Sequence, residues 1–249
     1  MADLPEPIPA ATLVLMRGGS PPELLMMERA ATMAFAAGAL VFPGGRIEPG
    51  DHDAAAALPH VPDAAARIAA IRETIEETGV AAGLSPAPDA ATAAALREAL
   101  SGGAPFAALV EDCGLRLDLE ALTPFARWCP NFRETRRFDT LFFLAEAPAG
   151  LAGASADATE SVRTFWASAS DVLAEVDAGR AHVIFPTRRN LERLARFSSI
   201  DEARADAAAH PVRKITPWVE ERGGAPHVCI PADAGYPVTS EPLETARRR

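Results

Sequence analysis

The apolar positions of the chain follow two periods, which separate predicted strands from predicted helices. Continuous or alternating apolar runs, bounded by Gly, Pro and polar residues, are typical of strands. They predict strands at residues 11–17, 24–29, 39–42, 122–128, 138–145, 161–166 and 227–230. Apolar residues at three- and four-residue spacing predict helices at 63–78, 90–100, 168–178 and 186–197. This order of elements is compatible with a mixed α/β architecture but does not by itself select one.

The predicted helix at 63–78 has clear start and stop signals. Pro62 and Asp63 form a typical helix start, with Asp63 at the N-cap position. Gly79 is well placed to end the helix in the left-handed conformation. The isoleucines fall on one side of the helix, at positions Ile68, Ile71 and Ile75.

Three glutamates, Glu73, Glu76 and Glu77, share the polar face of this helix over an arc of about 100°. Like charges at this spacing repel by about 0.2–0.5 kcal/mol per pair, so the cluster favours a counterion. Mg²⁺ is such an ion, because it typically binds one or two carboxylates together with substrate phosphates. A solvated acidic helix face is the alternative interpretation, and most runs of glutamate have that origin.

A turn with two adjacent glycines precedes the helix and adds to this pattern. In Phe42-Pro43-Gly44-Gly45 the glycines let the backbone approach a ligand closely. The turn and the helix together resemble the Nudix box: Gly, five residues, Glu, seven residues, Arg-Glu, an apolar residue, any residue, Glu-Glu, any residue, Gly, an apolar residue. The matching positions are Gly45, Arg72, Glu73, Glu76, Glu77, Gly79 and Val80.

The chain departs from the box in three places. Asp51 stands where the first glutamate is usual, and Thr74 occupies an apolar position. Twenty residues, 52–71, separate Asp51 from Arg72 where the box has seven. The extra residues are rich in Ala and Pro and include His52 and His60. We expect this insertion, at about residues 52–62, to bulge out as a loop.

Two further segments narrow the resemblance. Residues 24–30 with Gly38 are similar to the segment that precedes the box in Nudix enzymes that cleave coenzyme A. Residues 137–144, and residues 158–161 before Trp166, look like the Nudix type 19 branch, which also has an enlarged box. This resemblance adds Arg29 and Phe42 to the candidate substrate contacts.

The resemblance implies a fold and a reaction. The fold is a Nudix-type α/β/α sandwich with a mixed sheet, as one domain over residues 1–249. Its core spans about residues 8–200, with extra helices and a tail after about residue 165. The reaction is hydrolysis of the phosphoanhydride in a nucleoside diphosphate linked to another group. Mg²⁺ or Mn²⁺ would be held by the Gly45 carbonyl, Glu73, Glu76 and Glu77.

Roles and substrates follow from the same resemblance. The base is Glu76 or Glu160, the second from a distal loop, and Arg72 orients a box carboxylate. Coenzyme A or its acyl esters are the first substrate choice, giving 3′,5′-ADP and a phosphopantetheine. ADP-ribose, NADH and dinucleoside polyphosphates are alternatives. A different class, a non-catalytic nucleotide-sensing Nudix domain, stays open, although all three box glutamates are present.

Residues 127–137 form the densest cationic segment. The arginines are Arg127, Arg133, Arg136 and Arg137, with Trp128 and Phe132 among them. One interpretation is a nucleotide clamp, since Arg binds phosphate bidentately and aromatic rings stack on a base. The alternative is a hairpin whose arginines pair with surface acids. Arg188 and Arg189 are expected at a solvated helix start, and contact with a substrate phosphate is the alternative.

Composition and charge exclude several classes of protein. The net charge of −10 argues against nucleic acid as a partner and leaves a small nucleotide substrate. No apolar run reaches the ~20 residues that span a bilayer, and the N-terminus has no secretion signal. Three cysteines without metal-like spacing fit reduced thiols, so we expect a cytoplasmic enzyme. A homodimer, common among relatives, has no visible interface in the sequence.

Overall fold

The computed structural model describes residues 5–30, 36–130, 137–149 and 161–248. Its strands are β1 (Ile8–Arg17), β2 (Glu23–Arg29), β3 (Leu40–Val41), β4 (Gly44–Arg46), β5 (Leu84–Ser85), β6 (Arg116–Leu117), β7 (Thr123–Trp128), β8 (Phe138–Glu146), β9 (Ser161–Ser168), β10 (Lys214–Ile215), β11 (Trp218–Arg222), β12 (Ala225–Cys229) and β13 (Ser240–Pro242). Its α-helices are α1 (Pro49–Ala55), α2 (Ala64–Thr78), α3 (Ala90–Ser101), α4 (Phe106–Asp112), α5 (Ala169–Asp177), α6 (Phe185–Leu194), α7 (Ile200–Ala209) and α8 (Leu243–Arg248). Among these helices, none is both long and apolar enough to cross a membrane.

A mixed sheet of eight strands organises the fold. The path β10-β7-β8-β1-β2-β3 forms its frame, β4 joins β1 and β9 joins β2. β1 and β8 are parallel over nine paired positions, whereas β1 and β2 are antiparallel. One smaller sheet pairs β5 with β6. Another has β12 between β11 and β13.

Both faces of the large sheet are covered by helices, because alternate residues of its strands point in opposite directions. Leu13 and Leu15 of β1 pack in the cluster that contains α2 and parts of α3 and α4. Val14 and Met16 pack in the opposite cluster, which contains residues of α5, α6 and α7. The predicted α/β/α sandwich with a mixed sheet and extra C-terminal helices is therefore confirmed.

α2 forms as its sequence predicts at its C-terminal end and differently at its start. Gly79 ends the helix with φ of 73°, and its N–H donates to the carbonyl of Ile75 at 2.8 Å. Asp63 occupies the N-cap, but its φ of 54° is left-handed and its side chain makes no capping hydrogen bond. The predicted isoleucine face is fully buried, with Ile68, Ile71 and Ile75 in the cluster below the helix.

The prediction of a loop at residues 52–62 was wrong for its first part. Residues 49–55 form α1, which packs against α2. Pro49 lies in the first turn, where the lack of an N–H costs nothing, and Asp51 accepts a hydrogen bond from the N–H of Glu48 at 2.8 Å. These local start signals and the contact with α2 order the segment as a helix.

The expectation that Arg188 and Arg189 are solvated was also wrong. Arg189 is 1% exposed and Arg188 9%. Glu192 lies 2.7 Å from Arg189 within the same helix, and Glu241 of β13 lies 3.5 Å away. The C-terminal segment therefore covers α6 and supplies part of its counter-charge.

Candidate active site

The two glycines of the turn contact two of the box glutamates. The N–H of Gly44 donates to the carboxylate of Glu77 at 2.8 Å. A Cβ atom on Gly45 would overlap the carboxylate of Glu73. β4 pairs with β1 and α2 packs on both strands, so the turn and the C-terminal half of the helix are held together. The turn and the carboxylates thus form one site.

Arg72 is the centre of the charged network beside this turn. Its Nε and Nη2 donate to the two oxygens of Asp51, both at 3.0 Å. Nη1 donates to Glu73 at 3.0 Å and to Glu76 at 3.2 Å, and Nη2 also reaches the carbonyl of Arg46 at 3.0 Å. Arg72 contacts box carboxylates as the resemblance implies, and α1 supplies its bidentate partner.

The pKa values of Arg72 and Glu76 are both raised. Burial alone would lower the pKa of Arg72, but the hydrogen bond to Asp51 and the charges of Glu73, Asp51 and Glu76 raise it overall. Burial raises the pKa of Glu76, an effect that Arg72 partly offsets and that Glu48 and Asp51 reinforce. Burial therefore shifts the Glu76 carboxylate toward proton uptake.

The donor set of the site fits a hard divalent cation. Glu73, Glu76, Glu77 and the Gly45 carbonyl offer only oxygen ligands, which Mg²⁺ and Mn²⁺ prefer. Within the described part of the chain, however, no three His, Cys, Asp or Glu side chains converge as a metal cluster. Glu73 and Glu76 point to Arg72, and Glu77 accepts from Gly44. In this arrangement Arg72 supplies the positive charge of the site.

Arg97 of α3 supports the site from behind. Its Nε donates to the carbonyl of Glu76 at 3.0 Å and its Nη2 to that of Glu77 at 3.1 Å. These carbonyls belong to the last turn of α2, where a helix leaves carbonyls for donors from outside it. Periodicity could not reveal this contact, because it joins two helices and depends on their packing.

We predict different effects for alanine at the two glycines: a loss of activity at Gly45 and a loss of stability at Gly44. Gly45→Ala should fold normally but displace the Glu73 carboxylate, and a misplacement of about 1 Å can cost 10²-fold in rate. Gly44→Ala should lower the free energy of unfolding by about 1–3 kcal/mol, because φ is 156° and the new Cβ overlaps the backbone of Ala11 and Thr12. Thermal melts and turnover assays check both; an active Gly45→Ala enzyme would contradict the placement of Glu73.

Several predicted site residues lie outside the described residues. They are Glu160, the second candidate base, and Arg133 and Arg136 of the cationic segment. For these residues the roles stay predictions.

Arg127 pairs with an acid, as the paired-hairpin interpretation expects, whereas Arg137 donates to backbone carbonyls. Arg127 donates twice to Asp139, at 2.8 and 2.9 Å, and Lys214 lies 2.8 Å from the same carboxylate. Arg137 donates to the carbonyls of Pro130 at 3.3 Å and Pro5 at 3.2 Å. The hydrogen bond to Asp139 raises the pKa of Arg127.

Arg127 is also distant from the carboxylates. Along one row of the sheet, Gly45 pairs with Ala11, Ala11 with Leu141, and Leu141 with Arg127. At about 4.8 Å per strand spacing, the Cα atoms of Gly45 and Arg127 are ~14 Å apart. The structure therefore does not bring Arg127 to the box.

Phe42 and Arg29 have different environments. Phe42 is 4% exposed and packs in the cluster on the sheet face opposite α2, so its predicted substrate contact is replaced by a role in the core. Arg29 ends β2, and its N–H donates to the carbonyl of Ala39 at 3.0 Å. Its Nε is buried and has no hydrogen-bond partner among the described residues.

Comparison with solved structures shows proteins similar to this chain. A Nudix hydrolase from Alicyclobacillus acidocaldarius is 28% identical, with a TM-score of 0.72, covering 80% of this chain and 96% of its own. The MutT Nudix hydrolase from Burkholderia pseudomallei is 16% identical, covering 76% and 98%, with a TM-score of 0.44. The Nudix domain of Shewanella oneidensis NrtR, complexed with ADP ribose, is 14% identical, covering 78% and 88%, with a TM-score of 0.45. No known family profile matches the chain.

The similarity to the Alicyclobacillus protein supports assignment of the chain to the Nudix superfamily. The prediction of an enzyme of the Nudix hydrolase class, acting on acid anhydrides, is confirmed for the class of enzyme and not for its substrate.

Proposed function

We propose that the chain is a divalent-metal-dependent hydrolase that cleaves the phosphoanhydride of a nucleoside diphosphate linked to another group. The observation that carries the proposal is the contact of the Gly44-Gly45 turn with Glu77 and Glu73. This contact brings the Gly-Gly turn and the glutamate-bearing helix of the box together, although twenty residues separate Asp51 from Arg72.

Glu73, Glu76, Glu77 and the Gly45 carbonyl would hold Mg²⁺ or Mn²⁺. When bound, the ion would screen the charge of the diphosphate and act as a Lewis acid at phosphorus. The protein holds these ligands in place through Arg72, through the Gly44 N–H and through Arg97 at the end of α2. The polar contacts of the turn and helix thus orient the ligands before substrate arrives.

Glu76 is our first choice for the base that accepts a proton from the attacking water. Its burial raises its pKa, and its side chain is 28% exposed, so water can reach it. Glu160 is the second choice, by its position in the sequence. Arg72 acts as a positioning residue, since its donors are used on Asp51, Glu73, Glu76 and a backbone carbonyl.

Coenzyme A or an acyl-coenzyme A is our first substrate choice. The support is the resemblance of residues 24–30 with Gly38 to the segment before the box in coenzyme A-cleaving enzymes, together with the enlarged box. The products would be 3′,5′-ADP and a phosphopantetheine. ADP-ribose, NADH and dinucleoside polyphosphates are the alternatives within the same chemistry.

The test is product analysis after incubation with Mg²⁺ or Mn²⁺ and equimolar coenzyme A, ADP-ribose, NADH and diadenosine polyphosphate. We expect 3′,5′-ADP from coenzyme A, and none when EDTA removes the metal. Cleavage of another compound of this panel, but not of coenzyme A, would support the hydrolase proposal and exclude coenzyme A as the substrate. Binding of a member of the panel without cleavage would instead support the nucleotide-sensing alternative.

A further inference from the structure

Three buried polar atoms on the β2–β9 ribbon make no hydrogen bond among the described residues. They are Arg29 Nε, Thr164 Oγ1 and Trp166 Nε1. The other described atoms of this kind belong to the charged network of α6, residues 188–193. Folded proteins pair nearly all buried donors, so a group of unpaired donors on one ribbon calls for a partner.

The ribbon directs these atoms to the face that carries α2. Trp166 lies opposite Leu25, and Thr164 lies opposite Met27. Leu25 belongs to the cluster of α2, and Trp166 packs against that cluster. Alternation along β9 places Thr164 on the same face. The pairing of β2 with β9 shifts register between Glu28 and Arg29, but the N–H of Arg29 still bonds to the carbonyl of Ala39 in step with the β2–β3 pairs, so alternation along β2 places Arg29 on this face too.

This face leads to the carboxylate end of α2. Met27 also pairs with Val41 of β3, so Thr164, Met27 and Val41 form one row across three strands. The Cα atoms of Thr164 and Val41 are therefore ~10 Å apart. Val41 lies three residues before Gly44, whose N–H binds Glu77. A ligand held at Glu77 can extend along this row.

The chemistry of the unpaired atoms selects a ligand class. Trp166 Nε1 is a pure donor and Thr164 Oγ1 is a donor and acceptor, and both groups are neutral. Arg17 lies 4.5 Å from the centre of the Trp166 ring and is itself held by Glu23 at 2.7 Å, so the indole is fixed. Neutral, fixed donors suit the ring nitrogens or sugar oxygens of a nucleoside better than a phosphate, which favours cationic partners.

We propose that Thr164 and Trp166 form the nucleoside subsite of this enzyme, on the α2 face of the β2–β9 ribbon. The inference rests on the proposed function and adds to it the residues that recognise the nucleoside. Arg29, two residues beyond Met27 on β2, is a cation and contributes its Nε to an anionic oxygen of the same ligand. The metal held by the box carboxylates would then bind the diphosphate at the other end of the ligand.

The test is calorimetric binding of ADP and of inorganic pyrophosphate, which lacks the nucleoside. Thr164→Val removes the hydroxyl and keeps the shape, whereas Trp166→Phe removes the indole N–H together with part of the ring. Each should weaken ADP binding by about three- to tenfold and leave pyrophosphate binding unchanged. Because Thr164 Oγ1 has no hydrogen-bond partner among the described residues, Thr164→Val should leave Tm unchanged or raise it.

Phe165→Leu is the matched control. Phe165 is the intervening residue of β9 and packs on the opposite face, so this variant should lower Tm without changing ADP affinity. A lower Tm for Thr164→Val with wild-type ADP affinity would overturn the subsite, as would equal weakening of pyrophosphate. If the wild-type protein neither binds ADP nor cleaves the substrate panel, the proposed function itself fails and the subsite with it.

Discussion

Glu77→Gln is expected to leave a folded protein that has lost nearly all activity. In the wild-type protein the Gly44 N–H donates to the Glu77 carboxylate at 2.8 Å. The glutamine oxygen can accept the same hydrogen bond, so the turn should keep its position. The substitution removes the negative charge that a divalent cation needs. Loss of one preorganised charge-stabilising group typically costs about 10²–10³ in rate. Turnover of the cleaved member of the substrate panel, with saturating Mg²⁺, measures the effect.

Glu98→Gln is the control for this prediction. Glu98 is exposed on α3, so the same change of charge occurs away from the box and should not alter turnover. Circular dichroism and thermal melts show whether each variant is folded. Substantial turnover in folded Glu77→Gln would remove Glu77 from the metal assignment.

Arg72→Met is expected to cause the largest loss of stability in the site. Arg72 and Asp51 are 8% and 2% exposed at their side chains, and Glu73 and Glu76 share the same guanidinium. Removing one partner of a buried ion pair costs about 3–5 kcal/mol, because the other charge stays buried without compensation. Urea denaturation should show this loss as a lower midpoint.

A double variant shows whether the loss of stability comes from the unpaired charge of Asp51 or from the substitution of Arg72 itself. In Arg72→Met with Asp51→Asn the buried carboxylate of Asp51 is neutralised, so the double variant should be more stable than Arg72→Met alone. Arg72→Lys keeps the charge but not the bidentate geometry, and we expect an intermediate stability. A fully stable Arg72→Met protein would show that the network does not hold the box together.

The sequence predicted the parts of the site that depend on local signals. The spacing of Ile68, Ile71 and Ile75 revealed the buried face of α2, and Gly79 marked its end. The box was recognisable in the sequence because the spacing of the paired glycines is set within the turn and that of the glutamates within the helix. The central strands were predictable from local signals too, since residues 141–145 of the predicted run 138–145 are buried on both faces.

Other features depend on packing and were not visible in the sequence. Residues 52–55 were expected in a loop because the insertion is rich in Ala and Pro, yet they belong to α1, which carries Asp51 buried against Arg72. Arg189 looked like a solvated residue because Glu241, which helps to neutralise it, lies far away in the sequence. Contacts between distant segments of this kind follow from the fold and not from local periodicity.

Anomalous diffraction from crystals soaked in Mn²⁺ tests directly whether the box binds a divalent cation. We expect a peak at the box, about 2.0–2.2 Å from oxygens of Glu73 and Glu77 and from the Gly45 carbonyl. The peak should be absent in crystals of Glu77→Gln. An active enzyme whose only Mn²⁺ peak lies away from the Gly44-Gly45 turn would contradict metal binding at the box.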